Sequence, residues 1–192
     1  MRSFAIILAI LFSTTSFAQE TTAYTKNSSV ISAGVGIVNI WKSFLRDAVS
    51  YPPSTYKVSA TGPFTLIYEY GFTNRISGGV ALGYSEVIGN FNGYGEKFEE
   101  KLTNFSAILR ANFHIGRFKK FDPYIGGGAG YYAFKYTNDR NLSDDGKIPA
   151  AFGLSAQAGT KYYVTNSLGL FAELGYVGGS LGQLGFSYKF QH

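Results

Sequence analysis

LTNFSAILRANFHI, residues 102–115, has two unlike faces. Phe105, Ala107, Leu109, Ala111, Phe113 and Ile115 share one of them, while Asn104, Ser106, Arg110, Asn112 and His114 share the other. Apolar residues at every second position over such a length mark a β-strand with one buried or lipid-facing side. Its polar side carries small groups and a charge, too little bulk to meet water as an ordinary surface strand does.

Working outward from this stretch, the same alternation recurs to give eight segments. Residues 30–41 set Ile31, Ala33, Val35 and Ile37 against Ser32, Gly34 and Gly36. Residues 63–72 set Phe64, Leu66, Tyr68, Tyr70 and Phe72 against Thr65, Ile67, Glu69 and Gly71. Segments follow at 76–88, 123–136, 151–164 and 168–177, where Leu168, Leu170, Ala172, Leu174 and Tyr176 oppose Gly169, Phe171, Glu173 and Gly175. In residues 123–136 both faces begin apolar, so the facing of that segment stays open. The last segment places Leu184, Phe186, Tyr188 and Phe190 opposite Gln183, Gly185, Ser187 and Lys189.

The connections alternate in length. Residues 73–75, 116–121 and 165–167 are short turns, whereas 42–62, 89–101 and 137–150 are longer, polar and rich in turn formers. Short turns at one end and long loops at the other are the layout of a transmembrane barrel, with both termini on the short-turn, periplasmic side. The final link near Gly178 to Leu181 is short and breaks the long-loop rule.

Facing is settled by side-chain size. The small face is Gly, Ala and Ser with isolated charges at Glu69, Arg110, Lys161, Glu173 and Lys189, and an eight-stranded interior has room for little more. A soluble core of glycine would be underpacked. The large face therefore points to lipid, with Tyr70, Phe72, Tyr84, Phe113, Tyr136 and Tyr162 as interfacial girdles. A soluble exported barrel or lipocalin-like binder is the alternative.

Composition agrees with an exported chain. Residues 1–18, MRSFAIILAILFSTTSFA, have a basic start, a compact apolar run and small residues Ser16 and Ala18 before a cut at Gln19. That is the grammar of a signal peptide, and its apolar run is too short for a membrane helix. Residues 19–29 then form a short periplasmic lead and 30–192 the barrel domain. The 192 residues suit one domain, and an aromatic content of 17% with 15% charged residues excludes disorder. With Cys at 0 there is no disulfide, thiolate nucleophile or Cys metal site, and two histidines, His114 and His192, do not make a metal centre.

Two local stretches extend the argument. DPYIGGGAGYYAF, Asp122 to Phe134, is similar to the Pro-Tyr-Ile-Gly-x-Gly-x-Gly strand start of the small outer-membrane β-barrel family of Gram-negative bacteria. GFSYKF, Gly185 to Phe190, resembles that family's terminal assembly signal, here followed by Gln191 and His192. The resemblance covers the mature chain and implies an all-β, eight-stranded antiparallel up-and-down transmembrane barrel in the outer membrane. It implies Gly185, Tyr188 and Phe190 as the assembly signal, with the barrel assembly machinery and periplasmic chaperones as partners during biogenesis. It leaves function open, since members include adhesins, structural barrels and small-solute channels.

For chemistry, the lumen charges Glu69, Arg110, Lys161, Glu173 and Lys189 are expected to neutralise one another and plug the barrel, because an unpaired buried charge is costly. Lining a narrow pore for small or apolar solutes is the alternative. A lipid-modifying enzyme would need a nucleophile and a carboxylate beside His114, and no serine with an acidic partner stands near it in sequence. Gly126 to Gly130 continues into Tyr131 and Tyr132 as a strand, so it is no phosphate loop. The net charge of +5, reduced by one when the leader takes Arg2, is thinly spread, with Lys119 and Lys120 merely in a turn. Nucleic-acid binding would need a concentrated patch. The expectation is a non-enzymatic, monomeric barrel without cofactor, surrounded by outer-membrane lipid and meeting any unknown ligand at 42–62, 89–101 and 137–150.

Overall fold

The computed structural model describes residues 22–47, 55–93, 95–139 and 147–190; the leader at 1–18 and His192 lie outside them. The strands are β1 (Ser29–Gly36), β2 (Tyr56–Gly71), β3 (Ile76–Gly93), β4 (Glu96–His114), β5 (Phe121–Asn138), β6 (Lys147–Tyr163), β7 (Leu168–Val177) and β8 (Ser180–Phe190), with one helix, α1 (Ile40–Asp47). Every strand pairs antiparallel with its sequence neighbours, and β1 pairs with β8 to close the barrel.

The alternation becomes an inside-out packing. Leu109 is 69% exposed and its chain neighbour Ile108 only 2%. Leu66, Leu154, Leu174 and Phe186 share the outward band with Leu109. Phe72, Phe113, Phe121 and Tyr162 ring its short-turn end, and Phe64, Tyr84, Phe105, Tyr131 and Phe152 its other end. Open aromatic and aliphatic area on this scale belongs against hydrocarbon.

Several sequence expectations change here. The first segment ends at Gly36, and Trp41 lies in α1, whose first turn is capped by Asn39 accepting from the Lys42 amide at 3.2 Å. The expected loop 89–101 is nearly all strand, because β3 runs to Gly93 and β4 starts at Glu96. Likewise β2 begins at Tyr56, and β5 and β6 take up both ends of 137–150. These outer strand portions pass for loops because they leave the hydrocarbon and need no apolar outer face. Their inward residues Tyr56, Phe91 and Phe98 pack into a small cluster of their own, with Phe91 and Phe98 stacked at 4.7 Å. A register shift between Thr61 and Phe64 also reverses the facing of β2, moving the buried set from Tyr56 to Thr65 and Ile67.

Two aromatic assignments are corrected. Tyr136 pairs with Leu102 on the inward face and is no girdle residue. Tyr176 turns into the lumen, 5.9 Å from the ring of Tyr132. The cause is a register shift between Leu174 and Val177 around Gly175, whose φ of +139° favours glycine. A side chain at Gly175 would also collide with the Ala156 carbonyl.

Candidate functional site

The lumen gathers buried charge of both signs. Strand register brings together residues far apart in sequence: Arg110 on β4 stands opposite Gly79 and Gly128, so its guanidinium has room to cross the interior. It reaches Glu173 on β7, with Nη2 donating to Oε2 at 2.5 Å and Nη1 to Oε1 at 3.3 Å. The same carboxylate accepts from Tyr124 Oη at 2.7 Å and from Gln183 Nε2 at 2.6 Å. Glu173 is thus the hub of one half of the network.

Glu69 on β2 is the other hub. It accepts from Lys161 Nζ at 2.9 Å, from Asn112 Nδ2 at 3.0 Å and from Ser77 Oγ at 2.7 Å. Asn112 in turn accepts from Gln157 Nε2 at 2.9 Å, linking β4 to β6. Lys161 also lies 4.4 Å from the centre of the Tyr124 ring. Lys189 takes a different partner: its Nζ donates to the Ala23 carbonyl at 3.1 Å and sits 4.7 Å from the Tyr163 ring centre. Among the described residues it has no carboxylate within ion-pair distance.

Beside this network lies an arrangement that the sequence did not suggest. Ser77 Oγ is 2.9 Å from His114 Nε2, and His114 Nδ1 is 2.6 Å from Asp122 Oδ1. The expectation that no serine with an acidic partner stands near His114 is therefore overturned. Ser77 belongs to β3 and Asp122 opens β5, so only strand register brings them together. The parity of Ser77 with Gly79 and Ala81 marks it as inward, but nothing in a linear sequence says which strand residue it meets. Counted with each carboxylate as an acceptor, Ser77 gives its one proton to Glu69, Nε2 donates to Ser77 and Nδ1 donates to Asp122. The ring then carries a positive charge, and Arg110, Lys161 and His114 balance Glu69, Asp122 and Glu173.

The lumen is closed differently at its two ends. Toward the short turns, residues 22–28 fold across the mouth. Tyr24 stacks on His114 with ring centres 3.4 Å apart and donates to the carbonyls of Ile76 at 2.8 Å and Thr73 at 3.0 Å. Burial raises its phenol above the ordinary range, with Glu69 and Asp122 adding to the effect. The Ala23 amide donates to Phe118 at 2.7 Å. Gly71 makes room for this segment, since a Cβ there would lie 2.7 Å from the Thr25 carbonyl and 2.9 Å from Tyr24 Oη. Toward the other end an apolar cluster shares the lumen with buried Ser85, Asn104 and Ser106: Ile67, Ala81, Ile108, Tyr132 and Phe171 form it, with Trp41, Phe134 and Tyr176 packed on it. Trp41 reaches in from α1 and meets Phe134 edge-on at 4.7 Å.

Residues 4–190 match the family described as outer membrane protein beta-barrel domain. The chain belongs to that family. No curated protein matches the chain. Among solved structures, the barrel is similar to the outer membrane protein OprG from Pseudomonas aeruginosa, with a TM-score of 0.52 and 14% identity over 91% of this chain and 100% of that one. It is also similar to Ail, the attachment invasion locus protein of Yersinia pestis, with a TM-score of 0.48 and 18% identity over 86% of this chain and 99% of that one. At such identities the likeness is one of fold. Membership in the outer membrane β-barrel family agrees with the outward apolar band and locates the protein in that membrane. Of the residues expected to form the assembly signal, Gly185 pairs with Gly34 across the seam, and Tyr188 and Phe190 pack edge to face at 5.1 Å near the short-turn end of β8. Among the described residues no group of His, Cys, Asp and Glu is arranged to hold a metal.

Proposed function

We propose that this protein is a sealed outer-membrane scaffold whose outward strand extension is the surface that meets partners. The observation that carries the reading is the double filling of the lumen. An ion-pair layer built on Arg110–Glu173 at 2.5 Å and Lys161–Glu69 at 2.9 Å lies beside an aromatic layer built on Tyr132, Tyr176, Phe134 and Trp41. A conducting pore keeps charged groups hydrated, whereas these are buried and take one another as partners. On this reading Gly185, Tyr188 and Phe190 serve recognition by the assembly machinery, and partners meet the strand portions beyond the outer girdle.

The test is single-channel recording of the refolded protein in planar bilayers, after heat-sensitive gel mobility has verified the barrel. Silence across salt and voltage is expected. Steady discrete openings would overturn the sealed scaffold and favour a narrow channel for small or apolar solutes.

The Ser77–His114–Asp122 relay supports structure and not hydrolysis. Ser77 is fully buried, its proton is held by Glu69, and the Tyr24 ring covers His114. A fluorophosphonate probe is therefore expected to leave the folded protein unlabelled. Stoichiometric labelling of Ser77, mapped by peptide mass, would reverse this assignment.

A further inference from the structure

The positive charge that is thin along the sequence is concentrated in the fold. Lys26, Arg75, Arg117, Lys119 and Lys120 are all exposed and all stand at the short-turn end, where the three turns and the N-terminal segment meet. The acid nearest them in sequence, Asp122, is buried against His114. Among the described residues this rim exposes no carboxylate. The opposite end mixes signs, as in the Lys101–Glu86 bridge at 3.4 Å. Among the described residues the exposed charge is therefore one-sided.

These cations do not face open solvent alone. Arg117 precedes Phe118 and Lys120 precedes Phe121, two rings that are 50% and 43% exposed on the lipid side and 6.1 Å apart. Arg75 falls in sequence between Phe72 and Ile76, whose side chains are exposed on the outer face. A cleft of ≈ 150 Å3 opens between the second and third short turns, lined by Lys119, Lys120 and Lys189 with Thr165 and Asn166, and its edge is the lipid-facing Val164. Cations and hydroxyls next to rings that end the hydrocarbon band lie at the height of lipid phosphates.

We propose that this rim selects anionic phospholipid headgroups from the surrounding leaflet. The interleaving of Arg75, Arg117 and Lys120 with the membrane-exposed rings of Phe72, Phe118 and Phe121 favours a lipid over a soluble acidic peptide, which would have no use for the rings. The phosphate takes the place beside Lys120 and Arg117, while the acyl chains run along Phe118, Phe121 and Val164. The rim thereby fixes the depth of the barrel and gathers a ring of negatively charged lipid about its periplasmic mouth.

The experiment uses the full mature chain refolded in phosphatidylcholine bilayers doped with spin-labelled phosphatidylglycerol or spin-labelled phosphatidylcholine. The motionally restricted fraction of each label gives their relative association. Phosphatidylglycerol is expected to associate roughly three- to tenfold more strongly at low salt, falling toward parity at high salt. The triple variant Arg75→Gln, Arg117→Gln, Lys120→Gln should abolish the preference. A matched variant at the other end, Lys57→Gln, Lys97→Gln, Lys135→Gln, should keep it. Equal association of the two labels, or a preference that survives the rim substitutions, overturns the proposal. So does binding of soluble polyglutamate to the rim without any lipid preference, which would reassign it to acidic peptides.

Discussion

Glu173→Ala is expected to destabilise the barrel by ~3–5 kcal/mol, the usual cost of stranding one partner of a buried ion pair. Glu173 takes four hydrogen bonds, two from Arg110, one from Tyr124 and one from Gln183. Removing it leaves a guanidinium in the lumen with no carboxylate in hydrogen-bond contact and two further donors without their acceptor. Replacing both ends of the pair is a different matter. The double variant Arg110→Met, Glu173→Leu removes the charges together, and most of the lost stability should return, because a buried pair is often worth no more than well-packed apolar groups. The measurement is the urea midpoint of the protein in lipid vesicles, read from the heat-sensitive gel shift. A Glu173→Ala midpoint within ~1 kcal/mol of the parent, after conversion by the measured slope, would show that water already solvates Arg110 and that the lumen is not dry.

The second large effect lies one residue from Arg110 and points the other way. Leu109→Arg should cost ~2–4 kcal/mol, as a cation does at the midplane of a lipid-facing strand. On a water-soluble protein a leucine 69% exposed could become arginine with almost no change, typically within ~0.5 kcal/mol. Leu109 pairs with Val80 and Ala129, midway between the girdle residues Phe105 and Phe113, where arginine has the longest reach to either interface. The same vesicle titration measures it, and an unchanged midpoint would refute a lipid-facing Leu109. The substitution thus tests inside from outside at a single position.

Comparison of these two neighbours shows how much the sequence carried. The facing of Leu109 and Arg110 follows from a period of two and from the size difference between faces, both of them local properties. So does the inward position of Glu69, Lys161 and Glu173. Which inward groups meet is a matter of register and shear, and these are set by turns and bulges elsewhere in the wall. That is why Ser77, His114 and Asp122 went unconnected: they are assembled by β3, β4 and β5 together. Tyr176 and Tyr136 were misplaced for related reasons. A bulge at Gly175 reversed the first, and the second lies on a strand whose two faces look alike where it begins. The strand extensions beyond the lipid passed for loops because the apolar stripe that announces a strand is required only inside hydrocarbon.

The seam between β1 and β8 governs when this protein can exist at all. It joins residues from the two ends of the chain, such as Ser32 and Ser187, whose hydroxyls meet at 2.7 Å. Every other strand pair can form from neighbours in sequence, but this one has to wait for the last strand to be delivered. Until then β1 and β7 keep open edges, which lipid does not tolerate and other chains can capture. Closure is therefore the longest-range strand pairing in the barrel, and it cannot precede delivery of the last strand. A chain interrupted before β8 has seven strands and no way to hide two of their edges, so it stays a substrate for holding and disposal. The Ser32–Ser187 contact is in this sense a check on delivery, made only when synthesis and export have run to the final strand.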